Sequence, residues 1–153
     1  MDDLAIARAL HVIAVVMWIG GVAFVTMVLL PSIRRREGAG SHELFEALES
    51  PFARQARVTT LIAGLTGFYM VWRLDAWDRF MDPAYWWMHG MVLIWALFTL
   101  MLFVLEPWFL HAWFRRRAAV APAQTMALIQ RLHMVLITLS LIVIFGAVFG
   151  AHS

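Results

Sequence analysis

Of the 153 residues, 63% are hydrophobic and only 14% are charged, whereas soluble domains carry about a quarter charged residues, so an ordinary water-soluble domain is excluded. The chain has no cysteine, which excludes disulfides, iron–sulfur clusters and zinc–thiolate sites. The formal net charge of +2 is no argument for nucleic acid, because all twelve basic residues are arginines and they are gathered by loop.

A helix crossing a bilayer needs about 20 apolar residues. Four stretches approach that length: residues 9–30, 58–74, 85–105 with an extension to 114, and 132–150. The second is short. The expected fold is all-α, an integral membrane four-helix bundle forming a single domain over 1–153, with the lipid bilayer as its solvent.

The first stretch follows an acidic opening, MDDLAIARAL, and its apolar run is too long for a signal peptide, which predicts a retained helix rather than a cleaved signal. The loop 32–57 holds a glycine break at 38–40 and then a short interfacial helix. Ser41 is its expected cap, with Glu43 in the first turn, Leu44, Phe45 and Leu48 as its apolar stripe and Pro51 as its end. Small residues at Gly20-Gly21, at Ala63, Gly64 and Gly67, and at Gly146 and Gly150 let helices approach closely in lipid. They also leave room for a flat cofactor. Packing is the simpler reading.

Topology follows from the arginines. Loop 32–57 carries Arg34, Arg35, Arg36, Arg54 and Arg57, and the last loop carries Arg115, Arg116, Arg117 and Arg131. Arg8, Arg73 and Arg79 are on the other side, beside Asp2, Asp3, Asp75, Asp78 and Asp82. Arginine-rich short loops stay in the cytoplasm, so both termini are expected in the periplasm of a bacterium, with the protein in the inner membrane. Trp72, Trp77, Trp86 and Trp87 then form an outer aromatic belt, and Trp108 and Trp113 mark the inner one.

Ionisable side chains within spans are costly and usually carry a function. His11 stands about 13 Å and His89 about 9 Å from the middle of its own span, both on the periplasmic side, at 1.5 Å rise per residue. Facing helices can bring such a pair to one metal, and two imidazoles on the iron of a porphyrin between helices fit the pattern. Arg8 and Arg73 lie at the same level, suited to the propionates. A lone histidine at a span end is also at home among headgroups. His111 and His133 form a second pair at the arginine-rich end, the weaker alternative for ligation. Glu106, followed by Pro107, is either a proton-relay carboxylate or the ion-pair partner of Arg57 or Arg131; the pair is the simpler reading. Ten methionines in so apolar a chain are mostly filling, although thioethers at Met17, Met70, Met88 and Met91 suit Cu(I).

Leu10-His11, Trp18 with Gly20-Gly21 and Leu30-Pro31 form a pattern that resembles the first helix of the copper-resistance D family and of the HemJ-type protoporphyrinogen oxidases. The stretch from Leu44 to Met70 is similar to the approach to the HemJ second helix, and Trp87-Met88-His89 resembles its third-helix W-x-H. The likeness covers roughly residues 9–103. It implies a small helical membrane protein binding b-type heme, with His11 and then His89 as iron ligands and Trp18 on the cofactor side. Met91 stands where the HemJ pattern has lysine, and Ser32 follows Pro31 where it has arginine, which counts against porphyrinogen oxidation.

The expected function is electron transfer through heme b, between a quinone or membrane partner and a periplasmic redox protein. A HemJ-like oxidase acting on a porphyrin substrate, a CopD-like copper transporter and an accessory subunit of a larger complex are the alternatives. Homo-oligomerisation stays open.

Overall fold

The computed structural model describes residues 2–35 and 40–150, with the side chains of 40–46, 49, 50, 110 and 111 outside that description. The expected Ser41 cap, the Leu44 and Phe45 stripe, and the His111 side chain therefore lie outside the described residues. The protein is all-helical, and among the described residues there is no strand.

Helix α1 (Asp2–Phe24) passes into a π-helical segment, π1 (Val25–Leu29), and then α2 (Leu30–Arg35). Helix α3 spans Gly40–Arg73. Two short 3₁₀ turns lead to α4 (Trp86–Leu100), which continues as a second π segment, π2 (Met101–Leu110), and α5 (His111–Val120). Helix α6 spans Pro122–Gly150. Three helical runs, Asp2–Arg35, Pro83–Phe109 and Pro122–Gly150, are long and apolar enough to cross a membrane. The expected second span is not among them. Thr59, Thr60, Thr66, Arg57 and Arg73 dilute the apolar part of α3.

Pro51 does not end a short helix as the sequence suggested; α3 runs through it without interruption. The carbonyl that Pro51 leaves without an N–H donor is that of Ala47, four residues back. Ala47, Leu48 and Pro51 are all exposed, so that carbonyl is not confined to the packed side. Helix α3 ends instead in a Schellman motif. The N–H of Ala76 donates to the Val71 carbonyl at 3.0 Å and that of Asp75 to Trp72 at 3.2 Å. Asp75 has φ 48°, the left-handed position usually given to glycine and tolerated by aspartate. Asp82 then accepts from the Ala84 N–H at 2.9 Å and starts the turn into α4.

One core takes Trp18 and Ile19 from α1, Ala63 from α3, Ile94 and Phe98 from α4, and Ile137 and Val143 from α6. Trp18 meets Phe98 edge-to-face at 5.0 Å between centroids. The opposite surfaces stay apolar: Leu65 is 71% exposed, Leu93 70% and Phe145 72%. Surfaces so rich in exposed large hydrophobics suit lipid rather than water.

The glycines work by admitting rings. A Cβ on Gly64 would strike the Trp95 ring at Nε1, and Cβ atoms on Gly146 and Gly150 would strike the Trp86 and Trp87 rings. Trp95 is held in place because its Nε1 donates to the Thr60 carbonyl at 2.9 Å. Gly64→Ala is therefore expected to cost about 1–3 kcal/mol through overpacking, measured by thermal unfolding in detergent. Gly20→Ala, where a Cβ meets nothing within 4 Å, should be neutral or stabilising by up to about 1 kcal/mol. Equal effects at the two positions would discount the ring-in-notch packing.

Candidate functional site

Helices α1 and α3 run antiparallel and in close contact, and this places His11. Its Nδ1–H donates to the Ala63 carbonyl at 2.9 Å, with the Thr66 hydroxyl 3.2 Å from the same nitrogen. The Thr66 hydroxyl itself donates to the Ile62 carbonyl at 2.6 Å. A carbonyl can only accept, so Nδ1 carries the proton and Nε2 keeps its lone pair. Metal-bound histidines are commonly oriented in this way, by a backbone acceptor on the far nitrogen. Gly67 makes the space: a Cβ there would lie 3.2 Å from Cε1 of the ring.

His89 is engaged differently. It is exposed, and its Nε2 lies 2.9 Å from the Phe80 carbonyl, so that nitrogen is the donor. The Phe80 ring meets the imidazole edge-on at 5.5 Å. Among the described residues, no hydrogen bond or ring contact joins His11 to His89. Iron at Nε2 of His89 requires that the Phe80 bond be released.

Arg73 is already paired. Its Nε donates to Oδ2 of Asp3 at 2.9 Å, and the Tyr69 hydroxyl donates to the same oxygen at 2.8 Å. Arg8, three residues before His11 on α1, is exposed. Trp18, seven residues after His11 and so close to the same helix face, is 4% exposed, and its indole N–H is buried with no hydrogen-bond partner among the described residues. Of the residues expected to hold a heme, His11 would be able to hold its iron through Nε2, with Arg8 as the cation at its level. His89 and Arg73 fit only after exchanging partners. Among the described residues, no group of three or more His, Asp or Glu side chains is placed to share a metal ion.

The arginine-rich end is built around Pro107. In a π register each N–H reaches the carbonyl five residues back, so residue 107 should serve Leu102, and proline has no N–H to give. Nε of Arg57, from α3, donates to the Leu102 carbonyl at 3.1 Å instead. Nη2 of Arg57 lies 3.4 Å from Oε1 of Glu106, which makes Glu106 the ion-pair partner foreseen for Arg57. Arg34 donates to the amide oxygen of Gln130 nearby. Between π1, π2, α3, α5 and α6 lies a cavity of about 150 Å³, lined mostly by apolar side chains with Glu106, Arg115 and His133 among them. Nδ1–H of His133 donates to the Ile129 carbonyl one turn back at 2.9 Å.

Sequence reasoning named His11, His133, Arg73 and Glu106, and the Arg57 pair. It missed Asp3, Tyr69, Thr66 and the Leu102 carbonyl. Of these only the last had a signal, the carbonyl left open by a proline within a span.

The fold and these sites define an all-helical protein with three helices able to cross a membrane and two polar clusters at its opposite ends. No family model, curated protein or solved structure matches the chain.

Arg57→Met is expected to destabilise the protein by about 1–3 kcal/mol, the cost of stranding a poorly solvated acceptor. Pro107→Ala restores an N–H for Leu102 and should remove at least half of that cost in the double variant, as read from a thermal-unfolding double-mutant cycle. An unchanged Arg57→Met cost in the Pro107→Ala background would show that Arg57 does not stand in for the missing N–H.

Proposed function

We propose that this chain is a b-type heme-binding protein of the bacterial inner membrane, passing electrons between a quinone and a partner on the periplasmic side. The observation that carries this reading is the His11 imidazole, fixed by the Ala63 carbonyl so that Nε2 keeps a free lone pair within a span. Heme supplies a one-electron couple in an apolar setting. The chain's own residues would hold and shield it: His11 through Nε2, Arg8 as the cation for a propionate, and Trp18 with an indole N–H in need of an acceptor. His89 would be the second residue to hold the iron, once its Nε2 is released from the Phe80 carbonyl.

The proposed topology has four crossings, both termini periplasmic, with the part of α3 after Arg57 as the short one. Its sixteen residues, Val58 to Arg73, rise about 24 Å, less than the hydrocarbon thickness of about 30 Å. Close packing of α3 on α1 and the local bilayer thinning that short spans induce support a crossing of that length. Nine arginines against three support the orientation.

Purified protein is expected to show a Soret band that shifts on reduction. His11→Ala should lose the heme, and His89→Ala should keep it with a change from low-spin to high-spin iron. Absence of a Soret band after incubation with hemin, or full heme retention in His11→Ala, would sink the reading. Orientation is checked separately, since the chain has no cysteine of its own. A cysteine at Ala84 should react with an impermeant maleimide in intact spheroplasts, and one at Ala119 only after lysis. The reverse pattern would invert the topology.

A further inference from the structure

The cavity at the arginine-rich end has walls of two kinds. Phe98, Met101, Phe114 and Leu136 supply apolar surface, and Glu106, Arg115 and His133 supply polar atoms. Its volume, about 150 Å³, is that of apolar cavities that admit a single benzene ring. Its rim includes Leu132, 43% exposed, and Leu48, 40% exposed, on surfaces that suit lipid.

The hydrogen-bond inventory selects the ligand. Donation of Nδ1–H to Ile129 leaves His133 with an acceptor at Nε2. Glu106 is an acceptor on another wall, its charge balanced by Arg57 at 3.4 Å. The Thr125 hydroxyl is already spent on the Ala121 carbonyl at 2.9 Å. Two acceptors in an apolar, ring-sized space call for a ring with hydroxyl donors. A quinone offers acceptors only and would have Arg115 as its one charged donor; its hydroquinone meets the acceptors. We propose that this cavity seats the ring of a lipid-soluble hydroquinone, with His133 Nε2 accepting a hydrogen bond from one ring hydroxyl. This deepens the electron-transfer reading and rests on it for its biological meaning, although binding itself requires no heme.

The test uses the full chain purified in detergent and anaerobic equilibrium dialysis with ubiquinone-1 or its hydroquinone. Wild-type protein should bind the hydroquinone saturably and more tightly than the quinone. His133→Leu should weaken hydroquinone binding about tenfold, the effect of one lost hydrogen bond in an apolar site, and change quinone binding less than about twofold. His133→Gln, which keeps an acceptor, should recover most of the affinity. Ala118→Phe, which fills the cavity from α5 and leaves His133 in place, should abolish both. Hydroquinone binding unaltered in His133→Leu and Ala118→Phe, or absent from wild-type protein that elutes as a single species, overturns the proposal. Soret absorbance is recorded on the same samples. Heme without hydroquinone binding defeats this inference alone, whereas His133-dependent binding without heme upholds it and defeats the heme reading.

Discussion

In hydrocarbon no water is present to take up a backbone group that a helix leaves unpaired, and the arginine-rich half of this protein is organised around one such group. Pro107 withdraws the N–H that the π register assigns to the Leu102 carbonyl, and Arg57 reaches across from α3 to supply another. The same guanidinium faces Glu106. A single side chain thus answers a missing donor and a carboxylate together, and it ties α3 to the π segment that follows α4. The π segment that Arg57 contacts also lines the cavity, together with π1, α3, α5 and α6. Wide turns of this kind often accompany function, and here two of them border one cavity.

At the other end the corresponding contacts join α1 to α3. Asp3 gathers Tyr69 and Arg73, and eight residues further along α1 the His11 ring settles against Ala63, Thr66 and Gly67. Both sets depend on the same antiparallel register. The Asp3 contacts hold the helix ends together while the Ala63 carbonyl sets the tautomer of His11. This division matters for the proposed heme site. Arg73 already has a carboxylate partner, so a propionate would have to compete with Asp3 for it, and Arg8 is the better placed cation.

Between the two ends the helices are joined by aromatic rings seated against small residues. Trp95 lies over Gly64, and Trp86 and Trp87 lie over Gly146 and Gly150. Lipid provides no hydrophobic drive for helix association, so close van der Waals contact has to supply it. A ring filling a glycine notch gives more contact area than two smooth helix faces would. The small residues therefore serve packing at these positions, and at Gly67 they serve the orientation of His11.

Much of the class of this protein was legible in the sequence because hydropathy and charge are properties of local segments. The long apolar runs became helices, the three most apolar are long enough to span a membrane, and of the two arginines foreseen as partners for Glu106 it is Arg57 that meets it. Boundaries were less legible. Pro51 reads as a helix end, yet α3 passes through it, because an exposed turn does not confine the carbonyl that the proline abandons. The sites were legible only as residue types. Ala63 lies 52 residues from His11, Leu102 lies 45 from Arg57 and Asp3 lies 70 from Arg73. No periodicity or motif encodes such distances. By itself the sequence determined that the chain is helical and suited to lipid, since burial of apolar length is additive along the chain. Only the tertiary structure decided which nitrogen of His11 is free, which cation Asp3 takes and where the cavity lies, because each of these is set by the register between helices.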